Sequence, residues 1–194
     1  MTEVPESPKE FFMQYLPAKF TEFRDTFSGK SSAGSMLFRI HEGDEWTIRL
    51  NDGKLEVSEG AADDTILQVT IPAKDFIDVM VEGARAQSGN LAPEAQVMAL
   101  KALTVDQARI AEVLKVKGSV AFVVTDGDSV RKLVITPGNQ AANVDSPECK
   151  LECQMSDFIQ LQTGKQLPIQ LAMSGKMRIV GDASLPMALN AVIG

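Results

Sequence analysis

The chain has 194 residues, of which 44% are hydrophobic and 23% charged, a composition typical of folded globular proteins and not of disordered ones. Its net charge of −7 repels phosphate backbones, so we expect no nucleic-acid partner. No apolar run is long enough for an integral membrane segment, which leaves only transient membrane contact open. The polar, acidic N-terminus does not resemble a secretory signal, so we predict a cytoplasmic protein.

The first predicted element is a helix near the N-terminus. Ser7 precedes Pro8, and Glu10 follows three residues after the serine, which is the pattern of a capping box with proline at the first helical position. Phenylalanines are concentrated between residues 11 and 27, and Pro17 is expected to kink or split the helix there. The helix is predicted to pack in the core; the alternative is a lid or partner-binding helix whose aromatic face moves.

Strands are predicted where apolar residues occupy every second position. The apolar positions of four such segments are Met36, Phe38 and Ile40; Trp46, Ile48 and Leu50; Leu55 and Val57; and Leu67, Val69 and Ile71. The dipeptide Asp52-Gly53 predicts a tight hairpin turn between the second and third segments. From Phe76 the apolar period becomes helical, and Gly83 is expected to end that helix. We therefore predict a meander of antiparallel strands that leads into a helix.

The second half of the chain repeats features of the first. Three segments match without gaps: Gly34–Phe38 with Gly118–Phe122, Asp75–Ile77 with Asp157–Ile159, and scattered positions of 93–114 with those of 168–189. Three matches in the same order predict an internal duplication. The first copy lacks the glycines that bound the last strand of the second, so its last strand is left open.

The two cysteines are predicted to be buried structural thiols. Cys149 and Cys153 lie in a segment, Cys149 to Met155, whose odd positions are all apolar, as in a half-buried strand. Four residues of strand separate their Cα atoms by about 13 Å, too far for a disulfide between them. The sequence adds only His41, which is predicted to lie on the surface. Because a zinc site needs a fuller set of ligands, we predict no metal site.

No motif predicts catalysis. The acidic residues Asp63, Asp64 and Asp75 lie beside a predicted strand and at a predicted helix start, where carboxylates are common. The sequence contains no nucleophile elbow, no complete phosphate loop and no His-Glu-x-x-His motif. We therefore predict that the protein is not an enzyme and uses no cofactor.

A pattern of glycines, a proline and spaced apolar residues covers the second half. Its residues are Asp157-Phe158, Leu161, Gly164, Pro168, Ala172-Met173, Gly175 to Ile179 and Gly181-Asp182. This pattern resembles the sterol carrier protein type-two family, and residues 46–50, 63–66 and 75–83 match the earlier part of the same pattern. The resemblance extends over residues 34–194, with the second copy the better match.

The resemblance implies an α+β fold. The expected architecture is two sterol-carrier-like repeats, each a curved antiparallel sheet covered by helices, preceded by an N-terminal helix. Residues 1–33 are assigned to the N-terminal helical segment, 34–117 to a first repeat degraded in its C-terminal part, and 118–194 to a second repeat. The alternative division is one continuous domain.

The resemblance also implies an apolar ligand in a tunnel between sheet and helices. We predict non-catalytic binding or transfer of a sterol, a fatty acyl chain or a phospholipid. The candidate cavity residues are Phe122, Met155, Phe158, Leu161, Ile169, Met173, Met177, Ile179, Leu185 and Leu189. The alternative is an interaction or dimerisation module, or an accessory subunit of a lipid-processing enzyme, without a ligand of its own. A homo-oligomer is compatible with either hypothesis.

Overall fold

The computed structural model describes residues 5–21, 24–82, 103–162 and 165–193, so Gly83 and Gly164 of the predicted patterns lie outside the described residues. The strands are β1 Ser35–Ile40, β2 Glu45–Asn51, β3 Lys54–Glu59, β4 Thr65–Ile71, β5 Val120–Asp126, β6 Ser129–Pro137, β7 Cys149–Gln154 and β8 Met177–Gly181. The α-helices are α1 Pro8–Glu10, α2 Leu16–Thr21, α3 Ala73–Ile77, α4 Gln107–Val113, α5 Met155–Gln162, α6 Pro168–Met173 and α7 Ser184–Ile193. The architecture is therefore α+β, with a helix before the first strand, as predicted.

Within the described residues the strands form one eight-stranded sheet in the order β3-β2-β1-β4-β6-β5-β7-β8. The sheet is mixed, because β1 pairs in parallel with β4 and β5 pairs in parallel with β7, whereas the other neighbours are antiparallel. Two expectations are thereby corrected. The pairing is not antiparallel throughout, and the described strands form one sheet instead of one sheet for each repeat. Apolar alternation defines the buried face of a strand and carries no information about which strand lies beside it.

The hairpin between β2 and β3 forms at the predicted dipeptide. Asp52 and Gly53 both have positive φ, 48° and 71°, and Asn51 is in register with Lys54. A two-residue loop with positive φ at both positions has the twist that antiparallel strands require. The prediction of this turn is confirmed.

Both halves contain a hairpin, a parallel returning strand and a helix in the same order, and the first half inserts the additional strand β3 before its returning strand. Each has a hairpin, β1–β2 or β5–β6, and then a strand that returns in parallel beside the first strand of that hairpin. Each returning strand is followed by a helix, α3 or α5, that carries the sequence Asp-Phe-Ile. The halves thus share a topology, while the duplication itself stays a prediction.

Strand β6 joins the halves. It pairs with β4 on one side and with β5 on the other, so it lies beside β4 as β8 lies beside β7. In residues 24–82 and 103–117, no strand follows α3, and the regular element described in 103–117 is the helix α4. Strand β6 therefore occupies the place of a last strand for the first half.

Side chains reinforce the junction between β6 and the first half. The Asp75 carboxylate is buried and accepts a hydrogen bond of 3.1 Å from the Lys132 backbone N–H. The Arg131 guanidinium, 15% exposed, donates to the Asp78 carboxylate at 2.7 Å. On β4, the buried Gln68 amide donates to the carbonyls of Gly138 and Gln140 at 2.8 and 2.7 Å. Charge-assisted and buried hydrogen bonds of this kind are costly to break singly.

The N-terminal helix packs in the core as predicted. It supplies part of an aromatic cluster that consists of Phe11, Phe12, Tyr15, Phe38, Trp46 and Phe76. Phe12 is fully buried and stacks on Trp46, with 4.8 Å between ring centroids and 21° between ring planes. The aromatic cluster therefore fills the helix-side face of β1 and β2.

Pro17 does not split the helix. Between α1 and α2 the chain runs through a π-helical turn, Phe11–Tyr15, and the Leu16 N–H donates to the Phe11 carbonyl five residues earlier. A π-turn shifts the hydrogen-bond ladder by one residue, and this accommodates a proline that has no N–H to donate. The helical segments therefore run without interruption from Pro8 to Thr21, with a change of helix type before Pro17.

Replacing Phe12 by alanine is expected to destabilise the protein by about 3–5 kcal/mol, because the cavity would lie inside the aromatic cluster. The free energy of unfolding is measured by urea titration, followed by circular dichroism and Trp46 fluorescence. The control is Met13→Ala, since Met13 is the next residue and its side chain is 40% exposed. Equal unfolding midpoints for the two variants would contradict the packing role of Phe12.

Candidate functional site

A pocket of about 220 Å³ lies between the sheet and helices α6 and α7, at the β7–β8 end of the sheet. Its lining residues are Leu151, Pro168, Ile169, Ile179, Pro186, Met187 and Asn190. Leu151 on β7 and Ile179 on β8 are in register, so their side chains lie side by side on the helix-facing surface. The other five residues come from the two helices. The pocket is partly open to solvent and predominantly apolar.

Turn residues of the second half position the elements around this pocket. Pro168 opens α6 at its first helical position, and Gly175, with φ +72°, lies in the turn between α6 and β8. Gly181 ends β8 with φ +96°, and a Cβ there would lie 2.2 Å from the Glu148 carbonyl oxygen. Only glycine fits that close approach. Pro168, Gly175 and Gly181, three residues of the sequence resemblance, therefore set the geometry of β8 and its flanking helices.

Asp182 initiates the helix that forms one wall of the pocket. Its carboxylate accepts hydrogen bonds from the Ser184 hydroxyl at 2.6 Å and from the Ser184 backbone N–H at 2.9 Å. These hydrogen bonds, the one from the hydroxyl first, hold the pKa of Asp182 below its ordinary value. The Gly181-Asp182 pair thus turns the chain from β8 into α7.

The structure separates the ten predicted cavity residues. Ile169 and Ile179 line the pocket. Five lie buried in the core, namely Met155, Phe158, Met177, Leu185 and Leu189. Phe122 and Leu161 are half-buried and pack against that core. Met173 is 83% exposed and lies outside the pocket lining.

The position of Met173 follows from the face of α6. Leu171 is the buried residue of this helix, whereas Ile169 and Met173, four residues apart, share an exposed face. Matching the family pattern by spacing did not reveal which face of α6 packs against the sheet. The structure corrects the inward placement of Met173.

Five lining residues were not among the sequence candidates: Leu151, Pro168, Pro186, Met187 and Asn190. Leu151 was recognisable from its odd, apolar position between the two cysteines. Pro186, Met187 and Asn190 lie within one turn of α7, beside the face that buries Leu185 and Leu189. Spacing of three and four residues places them together, but an exposed asparagine gives no sequence signal of a pocket.

The cysteines lie on either side of the lining residue Leu151 and are free thiols. Cys149 and Cys153 flank Leu151 on β7, and both are buried, as predicted. Burial, with a smaller contribution from the Asp157 carboxylate, raises the pKa of Cys153 to about 11. Burial likewise raises the pKa of Cys149, with Asp182 as the second cause.

The acidic residues have structural partners. Asp64 accepts hydrogen bonds from Arg49 at 2.5 Å and from the Ser35 hydroxyl at 2.8 Å, and the Arg49 guanidinium is the main cause that holds the pKa of Asp64 low. Asp157 is buried and lies 3.4 Å from the Lys176 ammonium. His41 is exposed, as predicted.

Within the described ranges, no group of three or more histidine, cysteine, aspartate or glutamate residues is arranged to hold a metal ion. None of the helices in these ranges is long and apolar enough to cross a membrane. The apolar pocket formed by described residues has the shape of a small-molecule site, since ligand sites are typically concave and apolar with few polar groups.

A sequence comparison matches residues 98–194 to the SCP-2 sterol transfer family, a range that contains every residue that lines the pocket. No curated protein matches the chain. Solved structures similar to it include the palmitate complex of sterol carrier protein-2 from Aedes aegypti, at 18% identity over 52% of this chain and 94% of that one, with a TM-score of 0.35. Sterol carrier protein 2 from Yarrowia lipolytica, without ligand, is 16% identical over 61% of this chain and 86% of that one, with a TM-score of 0.33.

In the folded protein at mildly alkaline pH, we expect Cys153 to react with Ellman's reagent about a hundredfold more slowly than an unperturbed thiol. The reason is that the thiolate is the nucleophile and a pKa of about 11 leaves little of it. The rate is read from the thionitrobenzoate released. The same protein in urea is the control and should react at the ordinary thiol rate; rapid labelling of both cysteines in the folded state would contradict this arrangement.

Proposed function

Because the chain belongs to the SCP-2 sterol transfer family, we propose that it binds and transfers an apolar ligand without chemistry, in the pocket between α6, α7 and the β7–β8 edge. The observation that carries the proposal is that this apolar pocket is lined entirely by residues of the family-matched range. Leu151 and Ile179 offer a continuous apolar surface to an acyl chain or ring system. Burial of apolar ligand surface is sufficient to drive such binding, so the proposal needs no cofactor and no catalytic residue.

The size of the pocket restricts how a lipid enters. Pockets for drug-sized ligands measure about 300–1,000 Å³, whereas this one measures about 220 Å³. A ligand therefore either inserts only one end or widens the pocket. Met187 stands at the α7 side with 55% of its surface exposed, and an unbranched methionine side chain repacks more readily than a branched one. We propose that α7 side chains move to admit the rest of the ligand.

The packing of the first half differs from that of the second, and this difference supports placing the ligand site in the second half. On the helix-facing surface of β1 and β2, the aromatic cluster occupies the space with Phe12 and Trp46, both essentially inaccessible to solvent. A ligand there would have to displace the N-terminal helix. We accordingly propose one ligand site, in the second half, with the first half as its structural support.

The carrier hypothesis also concerns where the protein acts. We propose that the protein acts in the cytoplasm and touches membranes only transiently, when ligand is loaded or released. The exposed lining residues Ile169 and Met187, together with the exposed Leu167 just before α6, would be the first side chains to meet a lipid surface.

Replacing Ile169 by tryptophan is expected to weaken binding of a neutral apolar probe such as Nile red at least about tenfold, because the larger side chain occupies the pocket. Binding is measured by probe fluorescence during protein titration. The matched control is Met173→Trp, on the same exposed face of α6 but outside the pocket lining. Undiminished binding by the Ile169 variant would place the ligand elsewhere, and no binding by the unmodified protein would refute the carrier function.

A second candidate function is an interaction or dimerisation module. The observation in its favour is that α6, the residue that caps it and α7 expose four large apolar side chains, Leu167, Ile169, Met173 and Met187. Exposed apolar clusters often mark contact surfaces. If this function holds, sedimentation analysis should show a dimer that Met173→Glu dissociates, whereas a monomer with bound lipid favours the carrier.

A further inference from the structure

Strand β8 forms one edge of the eight-stranded sheet. Among the residues that the structure describes, it is the last strand in the sheet order, and no strand pairs with its other side. It contains one charged residue, Arg178, and no proline. Sheet edges in natural proteins are usually protected by charges, prolines, bulges or a covering element, because a free edge pairs with other strands. The edge at β8 is therefore open to strand pairing.

The opposite edge of the sheet is better protected. Strand β3 carries three charged residues in six positions, Lys54, Glu56 and Glu59. The Lys9 ammonium lies 2.8 Å from the Glu59 carboxylate, so a side chain of the N-terminal segment reaches this edge. Charges along an edge strand disfavour its pairing with another chain. The two edges thus differ in their protection, and β8 is the more open to a partner strand.

The hydrogen bonds between β7 and β8 show which backbone groups of β8 point to the free edge. The Asp182 N–H donates to the Glu148 carbonyl at 2.9 Å, one position beyond the end of the β7–β8 register. In an antiparallel pair, residues that bond to the partner strand alternate with residues whose backbone groups point the other way. Arg178 and Val180 therefore bond to β7, whereas Ile179, which lies between them, directs its N–H and its carbonyl to the free edge.

A second copy of the chain can satisfy these backbone groups in a favourable register. Two antiparallel β8 strands of five residues overlap fully when Ile179 faces Ile179 of the second copy, with about 5.5 Å between the two Cα atoms. This register sets Arg178, whose side chain is 77% exposed, opposite Val180 of the second copy. A slip of two residues toward the start of the strand sets Arg178 against Arg178, and like charges directly opposite each other are destabilising.

The same register brings two pockets together. Ile179 lines the pocket, and directly opposite residues of an antiparallel pair point to the same face of the sheet. Ile179 of the second copy therefore lies beside the first pocket. The pocket of about 220 Å³ is smaller than ligand sites of about 300–1,000 Å³, whereas twice its volume is within that range. The second copy thus supplies a residue to a site that is small without it.

We propose that two copies of this chain pair through their β8 strands, antiparallel and centred on Ile179, so that their sheets become continuous and their pockets adjoin. The partner is a second copy because one symmetric interface satisfies the Ile179 backbone groups of both chains, sets each Arg178 against a Val180 and enlarges both pockets. The pairing goes beyond the proposed function, and only the joining of the pockets rests on it. This assembly is called the edge-paired dimer below.

The test changes the charge at Val180, which is half-buried and lies outside the pocket lining. In the edge-paired dimer, Val180→Glu places a carboxylate opposite Arg178 of the other copy, and the twofold symmetry does this twice. We expect the dissociation constant of the dimer to fall by about two- to thirtyfold, as two cross-strand ion pairs provide. Val180→Arg places two cations opposite each other instead and should weaken the dimer by a similar factor or more. Sedimentation velocity at micromolar concentrations measures both changes.

Thermal unfolding verifies that the variants fold, and Val180→Glu against the unmodified protein decides the question even if Val180→Arg is unstable. A monomeric unmodified protein, or a dissociation constant that does not respond to the charge at Val180, would overturn the edge-paired dimer. A dimer that Met173→Glu dissociates and Val180→Arg does not would also overturn it, because such a dimer uses the exposed helix faces.

Nile red binding in the same samples tests the carrier function separately. Monomers that bind Nile red would refute the edge-paired dimer and leave the carrier function intact. Dimers that respond to the charge at Val180 but bind no Nile red would support the pairing and refute the carrier function.

Discussion

The antiparallel pairing of β4 with β6 is the interaction on which the rest of the structure depends. Strand β4 is buried along its whole length, so an unpaired edge there would leave both its apolar face and its backbone polar groups uncompensated. Strand β6 satisfies that edge and also forms the hairpin with β5 that begins the second half. Asp75 bonded to Lys132 and Asp78 paired with Arg131 hold the first half's helix against the same strand. One strand thereby serves as the end of one half and a part of the next.

The two halves then differ in what covers their helix-facing surface. Over β1 and β2 that cover is the N-terminal helix, whose Phe12 stacks on the buried Trp46. Over β7 and β8 the cover is α6 and α7, which bury Leu171, Leu185 and Leu189 yet leave a pocket beside Ile179. The helix-facing surface of the same type of sheet can thus form either a packed core or a ligand site, depending on whether the covering helix packs large aromatic side chains against it.

Sequence reasoning recovered the features that depend on local chemistry. Alternation located the strands, Asp52-Gly53 located a turn, and the glycines around β8 identified the family pattern. It did not recover the pairing of β4 with β6, because strand partners are set by long-range contacts that periodicity does not encode. It also assigned to one cavity the buried Phe158 and the exposed Met173, since an apolar residue at a matching position fits a core, a pocket or a surface equally well.

The shared strand has a consequence for how the chain reaches its native state during synthesis. The last residue of β4, Ile71, precedes the last residue of β6, Pro137, by 66 positions, so β4 leaves the ribosome well before its neighbour exists. At about 5–20 residues per second the delay is roughly 3–13 seconds. During that interval a strand of almost uninterrupted apolar and β-branched residues has one open edge, the condition under which strands pair wrongly with other chains. Because one strand completes both half-sheets, the nascent chain has an unpaired β4 edge that needs protection until β6 emerges.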